Sequence, residues 1–248
     1  MKINIITEKE DIDKIHELLE KQKSNAIFIE RYNSNVKASP PKFSKELFWH
    51  VIIGCLLTSR QNVEKGSPVD RFLNRDPFPL TLDLCEKNEV KEYVEKTLTD
   101  FRGIRFTKRI GKFADENLRW LNSGGWQKIA DESAKLANVR SREPIFEDIE
   151  IERQVANFID KNLKGFGPKQ SRNFWQWLGY TRFEIPIDSR VTNWLNSNNI
   201  FPWKISTKVL TEVYYYEMVL DWIQNLCKNA NVLPCMLDAA IFSIYENE

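Results

Sequence analysis

Hydrophobic positions recur at helical spacing along nearly the whole chain. Residues 8–22 carry one apolar stripe, formed by Ile12, Ile15, Leu18 and Leu19, while Glu and Lys occupy the opposite face; this pattern is typical of an amphipathic helix. Ser44 is a good N-cap for a strongly apolar helix from Lys45 to about Ser59. Similar signals predict helices over 86–100, 107–122, 126–137 and 147–162, one ending at Gly179, one opening at Asp188, and others over 206–228 and 234–246.

The segment 24–36 is ambiguous and could continue as a second helix. The 248 residues are enough for one domain or two packed subdomains, and no internal repeat or long linker interrupts the helical pattern. We therefore predict an all-α fold whose helices are joined by short turns.

Composition narrows the function only a little. The chain is 42% apolar and 29% charged, with a net charge of +1, so whole-molecule charge argues neither for nor against nucleic acid. The four cysteines lack metal-binding spacing, and the two histidines suggest no metal site or His-dependent triad. No signal peptide or membrane-spanning apolar run is visible. We expect an intracellular, cytoplasmic protein with no metal, cofactor or membrane partner.

The most informative stretch is Leu163-Lys164-Gly165-Phe166-Gly167-Pro168-Lys169, which lies between two predicted helices. Its two glycines permit a sharp turn, and Pro168 suits the first turn of the next helix. Backbone amides at such a turn and helix start can bind a phosphate. Taken alone, the pattern is also compatible with an ordinary connection between helices.

Two ionisable residues follow at a defined spacing. Lys169 falls on the first turn of a helix, where the dipole disfavours a cation by about 0.3–1 kcal/mol and so favours the free amine that a nucleophile requires. Nineteen residues later, Asp188 follows Pro186-Ile187 and is an excellent N-cap for the next helix. Taken separately, Lys169 could be a solvated surface lysine, and Asp188 could serve only as a helix cap.

The combination resembles the helix–hairpin–helix DNA glycosylase superfamily, whose members carry an L-x-G-x-G-x-K hairpin followed by an aspartate after an apolar residue. The spacing is similar to that of the lysine-bearing, bifunctional branch, and most like the small archaeal and bacterial 8-oxoguanine DNA glycosylase/AP lyases. Softer similarities span about residues 45–245. They are Gly54-Cys55-Leu56-Leu57-Thr58-Ser59-Arg60-Gln61-Asn62, Arg102-Gly103-Ile104-Arg105-Phe106 with Lys108-Arg109, Phe174-x-x-x-Leu178-Gly179-Tyr180, and Leu237-Asp238-Ala239-Ala240-Ile241-Phe242. The printed chain ends in Glu246-Asn247-Glu248 where that group has a lysine-rich tail, and the identity of the excised base stays open.

The resemblance implies two helical subdomains with an active-site cleft between them. One would comprise residues 1–40 plus 189–248, and the other 41–188 with the hairpin 163–169. It implies a monomer that binds duplex DNA containing a damaged base, most readily 8-oxoguanine, and excises that base. Lys169 would be the nucleophile, and Asp188 would stabilise positive charge on the sugar.

DNA contacts are expected at the amides of Gly165, Gly167 and Lys169. Arg60 is the candidate wedge that fills the gap left by the extruded base, with Gln61 and Asn62 beside it, although a polar loop after a helix would look the same. Arg105, Lys108, Arg109 and Lys112 form a basic helical face that could equally be solvated. Trp222 and Phe242 are candidates for a base pocket, although most such aromatics are core residues.

Three other interpretations remain open. The first is a glycosylase for another lesion, an alkylated purine or an oxidised pyrimidine. The second is a non-catalytic module that uses the hairpin only to hold duplex DNA, against which the Lys169–Asp188 spacing counts. The third is a helical protein-interaction domain with an accidental match.

Overall fold

A computed structural model describes residues 7–61 and 63–245, and over these residues the chain is helical, with no β-strand. The predicted all-α class is confirmed. The α-helices are Lys9–Gln22 (α1), Ala26–Tyr32 (α2), Lys45–Leu57 (α3), Pro68–Leu73 (α4), Leu82–Glu86 (α5), Val90–Phe101 (α6), Thr107–Trp120 (α7), Trp126–Arg140 (α8), Asp148–Asn162 (α9), Pro168–Trp177 (α10), Ser189–Ser197 (α11), Val213–Asn229 (α12) and Pro234–Tyr245 (α13). Asn33–Lys37 and Leu121–Gly125 are short π-helical segments, and Val209–Thr211 is a 3-10 turn.

Most helix boundaries lie close to the predicted ones because local signals set them. The Ser44 hydroxyl accepts a hydrogen bond from the Leu47 amide at the start of α3, as an N-cap does. The ambiguous segment 24–36 is helical from Ala26. The predicted helix over 206–228 begins only at Val213, after the 3-10 turn, and the short helices α4 and α5 were not predicted.

The chain divides into two compact units. Unit 1 comprises the described parts of Met1–Pro40 and Gly167–Glu248 together with Leu136–Asn157, and unit 2 comprises Pro41–Lys135 and Phe158–Phe166. This division differs from the predicted one, because residues 136–157 and 167–188 group with the termini. Hydrogen bonds explain the grouping of α10: Trp175 Nε1 donates to the Val155 carbonyl at 3.2 Å, and Arg172 Nη2 donates to Asn157 Oδ1 at the same distance.

Each unit has its own apolar core. In unit 1 the core is built around α12 and α13, with Ile15, Ile187, Leu195, Leu220 and Ile241 among its members. In unit 2 the central element is α3, whose residues from Val51 to Leu57 are all buried. An apolar helix with no polar face is expected at the centre of a core, so the composition of α3 explains its place.

Within the described residues, none of the helices has the length and the apolar content that crossing a membrane would require.

Candidate active site

The first glycine of the hairpin is required by its surroundings. Gly165 has a φ of 83°, and a Cβ added there would lie 2.5 Å from Phe113 Cδ2 and 2.7 Å from Leu56 Cδ2. Both neighbours belong to unit 2, as Gly165 does. Gly167 differs, because its φ is −148° and a Cβ there would meet nothing within 4 Å. The left-handed turn and the close packing therefore depend on Gly165 alone.

We expect Gly165→Ala to lower the free energy of unfolding by about 2–4 kcal/mol, because the substitution adds left-handed strain and overpacks the contact with Phe113 and Leu56. Gly167→Ala is the matched control in the same turn, with an expected change within about 0.5 kcal/mol. Urea denaturation of both variants measures the difference. Equal losses in the two variants would show that the packing of Gly165 does not determine the hairpin.

A buried amide holds the hairpin to α7 in unit 2. Asn117 Oδ1 accepts a hydrogen bond from the Lys164 amide at 2.6 Å, and its Nδ2 donates to the Lys164 carbonyl at 3.0 Å. Asn117 is fully buried. Because both polar atoms of its side chain bind the backbone of one residue, Lys164, the path of the chain through the hairpin is closely defined.

Helix α10 carries Lys169 at its second position and begins as predicted, with Gly167 before it and Pro168 in its first turn. Lys169 is half-buried. One turn further on, fully buried Arg172 anchors the helix. Its Nε donates to Glu184 Oε2 at 2.9 Å, and its Nη1 donates to the Pro168 carbonyl at 3.3 Å. The backbone beside Lys169 is therefore tied to the buried interior of unit 1.

A tyrosine sets the path of the chain into Asp188. The Tyr216 hydroxyl donates to the Ile185 carbonyl at 2.9 Å and accepts from the Ile187 amide at 2.7 Å. The Arg172 guanidinium lies over the Tyr216 ring at 4.9 Å. The segment that precedes Asp188 and the helix that carries Lys169 therefore share one buried network.

Asp188 caps α11 as predicted. Its Oδ1 accepts from the amides of Arg190 and Val191 at 2.8 and 3.2 Å, and its Oδ2 accepts from Arg190 Nε and Nη2 at 2.9 and 2.6 Å. Burial alone would raise the pKa of Asp188, but Arg190, the positive charge of Lys169 and the Val191 amide outweigh burial and lower it. Asp188 is thus held as a carboxylate within electrostatic reach of Lys169.

Phe242 lies between two arginines of unit 1. The guanidinium carbon of Arg190 is 3.8 Å from the centre of its ring, and that of Arg31 is 4.2 Å away. Arg31 also pairs with Asp238 at 2.6 Å. Burial raises the pKa of Asp238, although Arg31 opposes the effect. The half-buried ring therefore lies between two arginines, each of which is paired with a carboxylate.

Trp222, the other candidate for the base pocket, has a different environment. It is 8% exposed, and its ring centre lies 3.9 Å from that of Phe201 in the core of unit 1. Helical periodicity could not separate these two aromatics, because both fall on apolar faces. Trp222 is thus a member of the core of unit 1, and its place in a base pocket stays a prediction.

Arg60, Gln61 and Arg105 lie on two loops of unit 2 that a side chain joins. Gln61 Nε2 donates to the Leu57 carbonyl at 2.8 Å, and Gln61 Oε1 accepts from the Arg105 amide at 2.6 Å. The side chain of Gln61 therefore has a structural role in joining the loops. Arg60 is exposed with a φ of 58°. Asn62 lies outside the described residues.

The basic face begins at an exposed aromatic ring. Arg105 and Arg109 place their guanidinium carbons 4.8 and 4.4 Å from the centre of the Phe106 ring. Lys108 is exposed, and Lys112 lies 3.7 Å from Glu116. The spacing therefore brings Arg105, Lys108 and Arg109 to one end of α7, while Lys112 is partly neutralised.

Sequence reasoning did not identify Arg31, Arg190, Asp238 or Tyr216. Each acts through partners that are distant in sequence or, for Arg190, through a bidentate geometry that no motif encodes. Only the position of Arg190, two residues after a capping aspartate, offered a signal.

All four cysteines are buried, and among the described residues no three His, Cys, Asp or Glu side chains are grouped as a metal ion would require.

Sequence comparison alone identifies no relative: no protein-family model matches the chain, and no curated protein matches it. Comparison of structures does. The 8-oxoguanine DNA glycosylase of Methanocaldococcus jannaschii matches with a TM-score of 0.61 at 21% identity, covering 96% of this chain and 94% of that one. That of Thermotoga maritima matches with a TM-score of 0.62 at 15% identity, covering 97% and 98%.

A third match is the Methanocaldococcus jannaschii 8-oxoguanine glycosylase/lyase in complex with a 15mer DNA containing 8-oxoguanine. Its TM-score is 0.64 at 18% identity, and the match covers 96% of this chain and 97% of that one. Agreement over nearly the full length of both chains defines the architecture. The chain therefore has the fold of these solved 8-oxoguanine DNA glycosylases.

Proposed function

We propose that the protein is a DNA glycosylase with AP lyase activity that excises an oxidised purine, 8-oxoguanine first among them, from duplex DNA. The observation that carries the proposal is that Lys169 lies within electrostatic reach of the ionised carboxylate of Asp188, both in unit 1. An amine nucleophile and a carboxylate on a fold shared with solved glycosylase/lyases form the minimum set for this chemistry.

In the excision step, Lys169 first loses its proton to water, and the neutral amine then attacks C1′ of the extruded deoxyribose. The bond from C1′ to the base nitrogen breaks, and the base leaves with the electron pair and takes up a proton. Positive charge develops on the sugar as the base departs. The Asp188 carboxylate stabilises that charge, because it is already ionised and oriented before the reaction begins.

The lyase step follows from the covalent intermediate. Loss of the amine proton and opening of the sugar at O4′, which becomes a hydroxyl, give a Schiff base between Lys169 and C1′. The positively charged imine acidifies C2′, and loss of a C2′ proton expels the 3′ phosphate by β-elimination. Borohydride reduces the imine to a stable amine and so traps the covalent adduct.

Base recognition is assigned to Phe242 and DNA binding to the basic residues. A base must leave the duplex to react, and because Arg31 and Arg190 cover the faces of the Phe242 ring, the edge of that ring would line the pocket for it. Phe242 is only partly buried, whereas Trp222 is a core residue. Arg105, Lys108 and Arg109, with the amides of Gly165, Gly167 and Lys169, would hold phosphates, and Arg60 would occupy the vacated position in the duplex.

The proposed activity also places the protein in the cell. In a prokaryote the genome lies in the cytoplasm, so we propose that the protein is cytoplasmic and associated with the nucleoid. We propose that it acts as a monomer, because the proposed catalytic residues all lie in one chain.

The proposal is tested with duplexes that contain 8-oxoguanine, an alkylated purine, an oxidised pyrimidine or no damage, incubated with and without borohydride. We expect excision and covalent trapping with the 8-oxoguanine duplex. Excision confined to another lesion would show that this lesion, and not 8-oxoguanine, is the substrate. Binding without excision would indicate a non-catalytic module that only holds DNA. Failure to bind any duplex at low salt would contradict the proposal entirely.

A further inference from the structure

Arg190 contacts two residues of the candidate site that have different proposed roles, Asp188 and Phe242. Its Nε and Nη2 both donate to Asp188 Oδ2, and its guanidinium lies 3.8 Å from the centre of the Phe242 ring. The side chain is 22% exposed, and that of Asp188 is 19% exposed. A partly buried arginine held at both its edge and its face has little freedom to reorient.

The carboxylate of Asp188 is defined by four donors that approach it from two sides. Two are backbone amides of α11, and these orient Oδ1 as in any capped helix. The other two come from the planar guanidinium of Arg190, and these orient Oδ2. The cap holds only Oδ1, so the contact with Arg190, whose two nitrogens converge on Oδ2, adds two further hydrogen bonds and places a positive charge against the second oxygen.

Charged groups on four helices surround this contact. Arg190 on α11 and Lys169 on α10 lower the pKa of Asp188 against the effect of burial. On α13, Asp238 interacts unfavourably with Asp188 and is itself paired with Arg31 of α2. Because Arg190 makes the largest favourable contribution, its removal leaves burial and Asp238 opposed mainly by Lys169. The pKa of Asp188 then rises.

We propose that Arg190 is a positioning residue for base excision, which holds the Asp188 carboxylate as an oriented anion and is itself braced on Phe242. This inference rests on the proposed function, since it concerns the carboxylate that stabilises the sugar cation. Arg190 does not touch the reacting atoms. It determines whether Asp188 is charged and correctly aligned when the base leaves.

The variants Arg190→Gln and Arg190→Lys test the proposal in the full-length protein. Glutamine removes the charge and the fork, whereas lysine retains the charge and loses the bidentate contact and the planar stack. Arg119→Gln is the matched control, because Arg119 pairs with Asp115 on the exposed surface of α7 in unit 2. It changes the net charge of the protein by the same amount, but in the other unit.

Two measurements are made on each variant. Carbon-13 NMR of the Asp188 carboxyl gives its pKa without DNA, and single-turnover excision of 8-oxoguanine gives the rate between pH 5 and 8. We expect the pKa to rise in Arg190→Gln, to rise less in Arg190→Lys, and to stay unchanged in Arg119→Gln. The excision rate should fall on the order of 10-fold or more in Arg190→Gln, and its ratio to wild type should fall further as the pH decreases and Asp188 takes up a proton.

The outcomes separate this inference from the proposed function. An unchanged Asp188 pKa in Arg190→Gln, or a rate equal to wild type at every pH, would overturn the role of Arg190 while wild-type excision still supports the enzyme. An equal loss of the excision rate in Arg119→Gln would show that the effect comes from net charge alone, and it would also overturn the role of Arg190. A wild-type protein that excises no lesion would remove the proposed function, and this inference with it.

Discussion

Lys169→Gln is expected to eliminate the borohydride-trapped adduct and to lower single-turnover excision by on the order of 10³-fold or more. Glutamine has similar length and polarity, but its amide nitrogen cannot attack C1′ or form an imine. The half-buried position at the start of α10 tolerates a neutral polar side chain. The measurements are trapping on an 8-oxoguanine duplex, excision on the same duplex, and a thermal melt to show that the variant folds.

Lys164→Gln is the matched control for this experiment. Lys164 is an exposed lysine in the same hairpin, and the hairpin contacts it through its backbone, which Asn117 holds. The substitution removes the same charge from the same turn, so binding to the phosphate backbone should weaken similarly in the two variants. Trapping that survives in Lys169→Gln but disappears in Lys164→Gln would show that the nucleophile is Lys164 and not Lys169.

The features that could be predicted from the sequence are those encoded over a few residues. Ser44 and Asp188 mark helix starts because an N-cap acts on amides two and three residues ahead. Gly165 marks a turn because only glycine fits both its φ and the contact with Phe113 and Leu56. The number of residues between Lys169 and Asp188 indicated the candidate site, because helix α10 and the segment after it can vary little in length.

Long-range partners could not be predicted in the same way. Arg31 meets Asp238 across 207 positions of the chain, and the ring of Phe242 lies between Arg31 and Arg190 only after α2, α11 and α13 have packed. Periodicity placed Trp222 and Phe242 on apolar faces alike, yet one is core and the other lies among charges. The assignment of α10 to unit 1 depended on buried hydrogen bonds from Trp175 and Arg172, which a motif does not reveal.

Asp188 has two functions in this account, as a helix cap and as a charge, and a pair of substitutions separates them. Asparagine is as good an N-cap as aspartate, so Asp188→Asn keeps an acceptor for the amides of Arg190 and Val191. Asp188→Ala loses both the cap and the charge. We expect the alanine variant to be less stable than the asparagine variant by about 0.5–2 kcal/mol in urea denaturation.

Excision should respond to the charge and not to the cap. We expect both variants to lose on the order of 10²–10³-fold in single-turnover excision, because both lack the carboxylate that stabilises the sugar cation. Borohydride trapping on DNA with a preformed abasic site should fall much less, since no base has to leave there. If Asp188→Asn excises 8-oxoguanine at the wild-type rate while Asp188→Ala fails, then Asp188 acts only by starting α11, and stabilisation of the sugar cation must come from another group.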